Sequence, residues 1–411
     1  MRVLFTTWAW PSHYFPMVPL AWALRAAGHE VRVASQPALM DTIMRSGLPG
    51  VVTGEDFDIV GYHRRELASL RVEEEDPPGP GQWDERKRRR VQKSFSQFVA
   101  IAELMADELL GFARDWRPDL VVHDPLTYAG PLVARLVGVP AVRSLFGPDF
   151  TYETRHIEAA AMAPLLERYG LPDLDTVGPL TVDPCPPGLQ FPAPIPRQLM
   201  RYVPYNGLSA VPAWTLEPPP RRRICVCWGT TTTKFSEEHA TRLPYVVDAV
   251  ADMDAEIVLA ATPDQLALFS SVPPGVRVAD SVPLNVLLPT CDAIIHQGGA
   301  GTTLNSALCG VPQLMVVQTP DQVVNAIPVE RSGAGTYLVP KETSRESVRS
   351  QARKVLEDPS YREAARFLRG QMLEQPPPTA VVGVLESLAR GELAPDHGVA
   401  QMSAATAGGP E

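Results

Sequence analysis

The sequence predicts two doubly wound α/β domains in tandem, on three observations. Short, continuously apolar strands alternate with helical patterns from the N-terminus onward, the mark of parallel strands covered on both faces. The same alternation restarts at Ile224. Between the halves the prolines gather, twelve of them from residue 177 to residue 220.

In the first half, strands are expected at 3–7, 31–35, 120–123 and 141–145. Helices are expected at 16–27 (ended by Gly28), around 95–113, and at 131–137. In the second half, strands are expected at 224–228, 256–260, 293–296, 314–317 and 336–339, with helices at 302–308 and 322–332. Proline at the density of the central cluster excludes helix and central strand and favours an extended, semi-rigid connection. The expected organisation is therefore a first domain over 1–205, a proline-rich linker over 206–222 and a second domain over 223–375. A helix over 376–393 and a small, polar, disordered tail over 394–411 complete it. Residues 72–90 join an acidic run, a Pro-Gly segment and a basic run; this reads as a solvated loop, with a lid over a bound acceptor as the alternative.

The chain has 411 residues, 45% hydrophobic and 20% charged, which is a globular composition. Its 43 prolines are about a tenth of the chain, twice the usual share of roughly 5%. Net charge is −10, which argues against a nucleic-acid partner. No apolar run reaches the ~18–20 residues of a membrane span, and residues 1–10 lack the features of a signal peptide. A cytoplasmic protein is expected. Cys185, Cys225, Cys227, Cys291 and Cys309 have no metal-like spacing and are expected to be buried free thiols.

The most specific segment is Ala293-Ile-Ile-His-Gln-Gly-Gly-Ala-Gly-Thr-Thr-Leu304. A strand runs into a glycine cluster, and a helix is expected to open at Thr302 or Thr303. Such glycines let backbone approach a ligand, and a helix N-terminus offers unpaired N–H groups to an anion. His296 is expected to add a side-chain donor. The segment is neither a P-loop nor a nicotinamide fingerprint. Further on, Thr319-Pro-Asp-Gln-Val-Val-Asn325 also lies between a strand and a helix. Asp321 and Gln322 there suit sugar hydroxyls, and Asp321 also suits a helix N-cap. His13, between the first strand and the helix expected at Pro16, is either structural or a general base. Its best partner is Asp124, and His123 is the rival histidine. Asp-x-Asp occurs at 56/58, 173/175 and 252/254, where none closes a clear strand, so no metal site is expected.

Together these features resemble the nucleotide-sugar-dependent family 1 glycosyltransferases of the GT-B fold, in the bacterial branch that decorates polyketides and other antibiotics. The similarity runs from Arg2 to Pro376–Pro378. It is strongest in Leu20-Ala-Trp-Ala-Leu-Arg-Ala-Ala-Gly-His-Glu-Val31, Asp280-Ser-Val-Pro-Leu-Asn-Val-Leu-Leu-Pro-Thr-Cys291, 296–302 and Asp321-Gln322. The resemblance implies two Rossmann-like domains facing a cleft, with a C-terminal helix crossing back to the first. By its pattern, His13 is the catalytic base and Asp124 orients it. His296, Gly298, Gly299, Ala300, Gly301, Thr302 and Thr230 hold the donor diphosphate. Ser281 and Val282 meet the nucleobase, while Asp321 and Gln322 bind the sugar. Trp8, Trp10, Tyr14, Phe15 and Phe146 are expected to line an acceptor pocket. The chain departs from the family's usual pattern at Ser12, Gln297 and Ser281, where glycine, histidine and an aromatic residue are common.

The implied activity is inverting transfer of a deoxysugar from a nucleoside diphosphate, expected to be dTDP, to a hydroxyl or an aromatic carbon of a hydrophobic aglycone. Apart from that co-substrate, no cofactor or metal is implied. A homodimer and an activator protein are left open. The alternatives are a nucleotide-sugar epimerase or hydrolase of the same fold, and a non-catalytic donor-binding subunit.

Overall fold

The computed structural model describes residues 1–62, 65, 85–207, 209–229 and 237–392. Contacts divide the chain into two units. One holds Met1–Asp56, Val91–Val203 and the segment from Gln375 onward; in the other lies Pro204–Glu374.

In the first unit, strands β1 (Arg2–Thr6), β2 (Glu30–Ser35), β3 (Gly50–Val52), β4 (Leu120–His123), β5 (Ala141–Ser144), β6 (Leu180–Asp183) and β7 (Arg197–Leu199) form one sheet. Its order is β3-β2-β1-β4-β5-β6-β7, and every neighbouring pair is parallel. The register places Thr6 beside His123, so β1 and β4 end together. Order reverses at β1, where the chain turns outward on either side, and that is where open α/β sheets bind ligands. Two short helices follow β1: α1 (Pro11–Tyr14), then, after one 3₁₀ turn, α2 (Val18–Ala26). Helix α3 (Glu85–Trp116) is long, and its part from Val91 onward, which belongs to this unit, presents Phe98, Ile101, Ala102 and Met105 to the core at helical spacing. Helices α4 (Ala129–Val137) and α5 (Thr151–Arg168) complete the connections used below.

The second unit repeats the plan. Strands β8 (Arg223–Cys227), β9 (Glu256–Ala261), β10 (Arg277–Asp280), β11 (Ala293–His296), β12 (Gln313–Val316) and β13 (Gly335–Leu338) are ordered β10-β9-β8-β11-β12-β13. All pairs are again parallel. Strands β8, β9, β11 and β12 are buried along their whole length, which is why their interiors read as apolar runs without alternation. Helix α6 (Ala300–Cys309) follows β11 and helix α7 (Pro320–Arg331) follows β12.

The proline-rich segment differs from the expectation. It contains β6, an interior strand paired on both sides, and the edge strand β7. The prolines stop just short of both: Pro179 precedes β6, Pro184 follows it, and Pro196 precedes β7. Proline thus bounds the strands without removing a ladder N–H from either.

Helix α8 (Pro378–Ala389) belongs to the first unit and packs on α2. Glu386 reaches His29 at 2.9 Å, and Gln375 just before it donates to the Cys185 carbonyl at 3.0 Å. Cys185, Cys225, Cys227 and Cys291 are buried thiols, whereas Cys309 is only half-buried. No helix among the described residues is long and apolar enough to cross a membrane.

Candidate active site

His13 lies on α1, not in a loop before a helix at Pro16. Pro11 takes the first helical position, where its fixed φ and missing N–H cost nothing. That single turn starts five residues after β1 and aims the imidazole across the sheet end. His13 Nδ1 stands 2.8 Å from Asp124 Oδ2, with the side chains 11% and 0% exposed. Asp124 follows β4 directly and is fixed from three sides. Its N–H donates to the Thr6 carbonyl (3.0 Å), and its Oδ1 accepts from the Leu126 N–H (2.9 Å) and the Thr127 hydroxyl (3.4 Å).

His123 is turned away. Its Nδ1 donates to the Asp124 carbonyl at 3.1 Å, and burial pushes its imidazole down to about 4. It is a neutral core residue, packed where any side chain on Gly130 would collide with it.

Aromatic rings surround His13. Phe146 lies 4.0 Å away by ring centroids, and Trp8 presents an edge at 5.0 Å. Trp10 stacks on Trp8 at 5.0 Å. Phe98 of α3, which nothing in its own sequence neighbourhood marks out, meets Trp8 at 5.5 Å. Tyr14 is a correction to the expected acceptor pocket. It is buried, and its hydroxyl bonds to Ser46 in the core. The ring of Phe15 stays 6.3 Å from that of Tyr14.

In the second unit, α6 begins at Ala300, two residues earlier than expected, with Gly299 as its N-cap and no capping side chain. Ala300, Gly301 and Thr302 therefore form the first turn, whose N–H groups have no partner within the helix. Gly298 has φ +94°, the left-handed region that glycine tolerates. A Cβ there would sit 3.2 Å from the Gln322 carbonyl.

His296 corrects the expectation of a side-chain donor. It is fully buried, its Nδ1 accepts the Gly298 N–H at 3.1 Å, and its Nε2 donates to Gln313 Oε1 at 3.0 Å. Burial holds the ring near 4, hence neutral. Both nitrogens are thus committed to the protein. From below, Asn325 Nδ2 donates to the Gly298 carbonyl at 2.8 Å. His296, Gln313 and Asn325 therefore shape the glycine turn, and the backbone is what remains to meet a ligand.

Asp321 is exposed at the second position of α7, whose N-cap is Thr319. Gln322 is buried and its Oε1 accepts the Gln318 N–H at 2.7 Å. Ser281 has φ +53°, rare for a residue with a side chain, and its hydroxyl donates to Asp280 at 2.8 Å. Val282 follows it, buried. Gly229, at φ +59°, lies two residues beyond β8, and Thr230 lies outside the described residues. Members of the Asp-x-Asp pairs have local work: Asp56 accepts from Ala38 N–H, Asp58 from Gly61 N–H, Asp175 from Val177 N–H, and Asp252 pairs with Arg349.

Two family models cover most of the chain: Erythromycin biosynthesis protein CIII-like, N-terminal domain, over residues 22–229, and its C-terminal domain over residues 244–388. The chain is 39% identical to 10-deoxymethynolide desosaminyltransferase of Streptomyces venezuelae, covering 95% of this chain and 97% of that one. It is 36% identical to tylactone mycaminosyltransferase of Streptomyces fradiae, over 94% and 92%. Among solved structures, glycosyltransferase VinC in complex with dTDP matches with TM-score 0.79 and 34% identity, over 95% of this chain and 100% of that one. Spinosyn rhamnosyltransferase SpnG complexed with spinosyn aglycone matches with TM-score 0.81 and 32% identity, over 94% and 100%. The fold is GT-B, and the chain is a glycosyltransferase. More narrowly, it belongs to the EryCIII-like family of natural-product glycosyltransferases.

Proposed function

We propose that this chain transfers a deoxysugar from a thymidine diphosphate donor to a hydroxyl of a polyketide-type aglycone, with inversion at the anomeric carbon. The observation that carries this reading is the His13–Asp124 pair at 2.8 Å. A carboxylate only accepts, so the ring proton lies on Nδ1 and Nε2 is the basic nitrogen. Nε2 takes the acceptor hydroxyl's proton as the oxygen bonds to the anomeric carbon. The bond from that carbon to the diphosphate oxygen breaks, and its electron pair leaves with the nucleotide. Asp124 stabilises the imidazolium, as in other His–carboxylate pairs.

On the donor side, N–H groups of the first turn, Ala300 to Thr302, meet the charge that develops on the diphosphate. These donors are fixed before the reaction, so the reading assigns no step to a metal ion or cofactor. Thr230 takes part on the pyrophosphate side, Val282 presents its backbone to the base, and Asp321 and Gln322 take the sugar hydroxyls. Trp10 and Phe146, half-buried near the base, offer apolar faces to the aglycone, backed by the buried Trp8 and Phe98. Support for the substrate classes comes from the relatives: their names describe sugar transfer to 10-deoxymethynolide and tylactone, and VinC binds dTDP.

The test is incubation of the purified protein with thymidine and uridine diphosphate deoxysugars and a panel of macrolide and aromatic aglycones. The expected result is transfer from the thymidine donor, with the new glycosidic bond of opposite anomeric configuration. A product that retains configuration, or turnover of donor that needs no aglycone, would overturn the reading.

A further inference from the structure

The first unit buries four charges that the reaction does not use. Arg143, in β5, pairs with Asp149 through Nη2–Oδ2 at 2.6 Å and Nη1–Oδ1 at 3.4 Å. Arg197, in β7, reaches the same Asp149 oxygen at 3.4 Å and holds Asp183, at the end of β6, at 2.8 Å. All four side chains are at most 7% exposed. Burying such a network stabilises a fold less than apolar packing of the same volume, so its presence calls for a task.

The geometry supplies one. Asp149 Oδ1 accepts from the Thr151 N–H at 3.2 Å and the Tyr152 N–H at 3.3 Å, so it anchors the first turn of α5. Its own N–H donates to Gln190 at 2.7 Å, and the Leu145 N–H joins the Val182 carbonyl at 3.0 Å. Only residues 145–148 lie between Arg143–Ser144 of the strand and the anchored Asp149. Phe146 is in that short span, and its ring is the one closest to His13, at 4.0 Å. Trp8 also packs on that imidazole, at 5.0 Å between ring centroids.

Resting on the reading of His13 as the base, we infer that the Arg143–Asp149–Arg197–Asp183 network positions that base, by holding Phe146 against one side of its imidazole. Asp124 fixes one nitrogen; Phe146 and Trp8 limit rotation of the ring about that bond, which keeps Nε2 aimed at the acceptor. Asp149, Arg143 and Phe146 are thus positioning residues.

The test uses the full chain with histidine labelled in the ring, wild type and the variants Asp149→Asn, Arg143→Lys, Phe146→Leu and Phe146→Tyr. Loss of signal in His13→Ala assigns the His13 Cε1–H resonance, which the neighbouring rings displace. Phe146→Leu is expected to move that resonance and lower kcat with donor KM unchanged, by up to a hundredfold, on the order of the loss for a misplaced catalytic group. Phe146→Tyr, which keeps a ring against the imidazole, is expected to return the resonance to its wild-type position. Asp149→Asn and Arg143→Lys, which break the two-pronged pairing, are expected to move the resonance the same way. A folded Asp149→Asn or Arg143→Lys whose His13 signal stays in place overturns the inference, whatever its rate. So does unfolding of both variants, the outcome of a network that serves stability alone. His13→Ala separates the two levels: full activity there overturns the reading of the base itself, whereas its loss with unmoved signals overturns only the positioning role.

Discussion

His13 and Asp124 stand 111 residues apart in the chain and 2.8 Å apart in space, Nδ1 to Oδ2. The pairing is a product of the sheet. Strands β1 and β4 are adjacent and end in register, so the helix after one and the turn after the other meet. Replacing His13 by Ala removes a proton acceptor, and loss of a general base costs about 10²–10⁴-fold in rate. Asp124→Asn keeps the size but lets the ring choose the wrong tautomer, so kcat is expected to fall while donor affinity stays at the wild-type value. Steady-state kinetics and calorimetry with thymidine diphosphate check both halves.

Gln313 makes a sharper prediction on the donor side, because it is fully buried beneath the glycine turn. Its Oε1 accepts a hydrogen bond from His296 Nε2, and its Nε2 donates to the Thr303 carbonyl at 3.5 Å. Gln313→Leu leaves a buried donor without a partner, at about 1–3 kcal/mol. Donor affinity is expected to fall, as it is for His296→Ala, although neither side chain is placed to touch the donor. Calorimetry that gave wild-type affinity for both would contradict the role assigned to this support.

Gly298→Ala tests the turn itself. At φ +94° a Cβ would lie 3.2 Å from the Gln322 Cβ, the Gln322 carbonyl and Val317 Cγ1. The strain is of the order of 1–3 kcal/mol, so a lower melting temperature together with weaker donor binding is expected. A variant that keeps both would show that the turn needs no left-handed residue.

Glu158 provides a test by pH. It is buried beside Thr154, whose hydroxyl donates to it at 2.9 Å, and burial raises its carboxyl to about 8. A folded value above the unfolded one means the contribution to stability is full below the usual carboxylate range, near pH 4.5, and is lost as pH rises towards 8. His123 and His296 run the other way: held near 4, they contribute fully above about 6.5 and lose it as pH falls towards 4. Melting temperature of Glu158→Gln relative to wild type is therefore expected to rise from pH 5 to pH 8. A flat difference across that interval would contradict the buried neutral carboxyl.

Much of this was legible in the amino-acid order, for reasons that differ by element. Strands β4 and β11 fall on the residues expected because each is an apolar run closed by a polar motif, His123-Asp124 and His296-Gln297. The interior strand β6 was hidden by its neighbours: Leu180–Asp183 has no proline, yet prolines crowd either side. The direction of the His296 ring was not legible, since β11 is buried on both faces and alternation then carries no sign. Nor was the ion network. Arg143, Asp149, Asp183 and Arg197 converge only because β5, β6 and β7 are neighbours in the sheet.

The central claim is that acceptor deprotonation by His13 drives sugar transfer, and nucleotide release measures it most directly. Release of nucleoside diphosphate is followed for wild type and His13→Ala, with and without aglycone, at saturating donor. The predicted result is release that requires aglycone and falls about a hundredfold or more in His13→Ala, while both proteins bind the donor equally. Release that proceeds without aglycone and is undiminished in His13→Ala would contradict the claim.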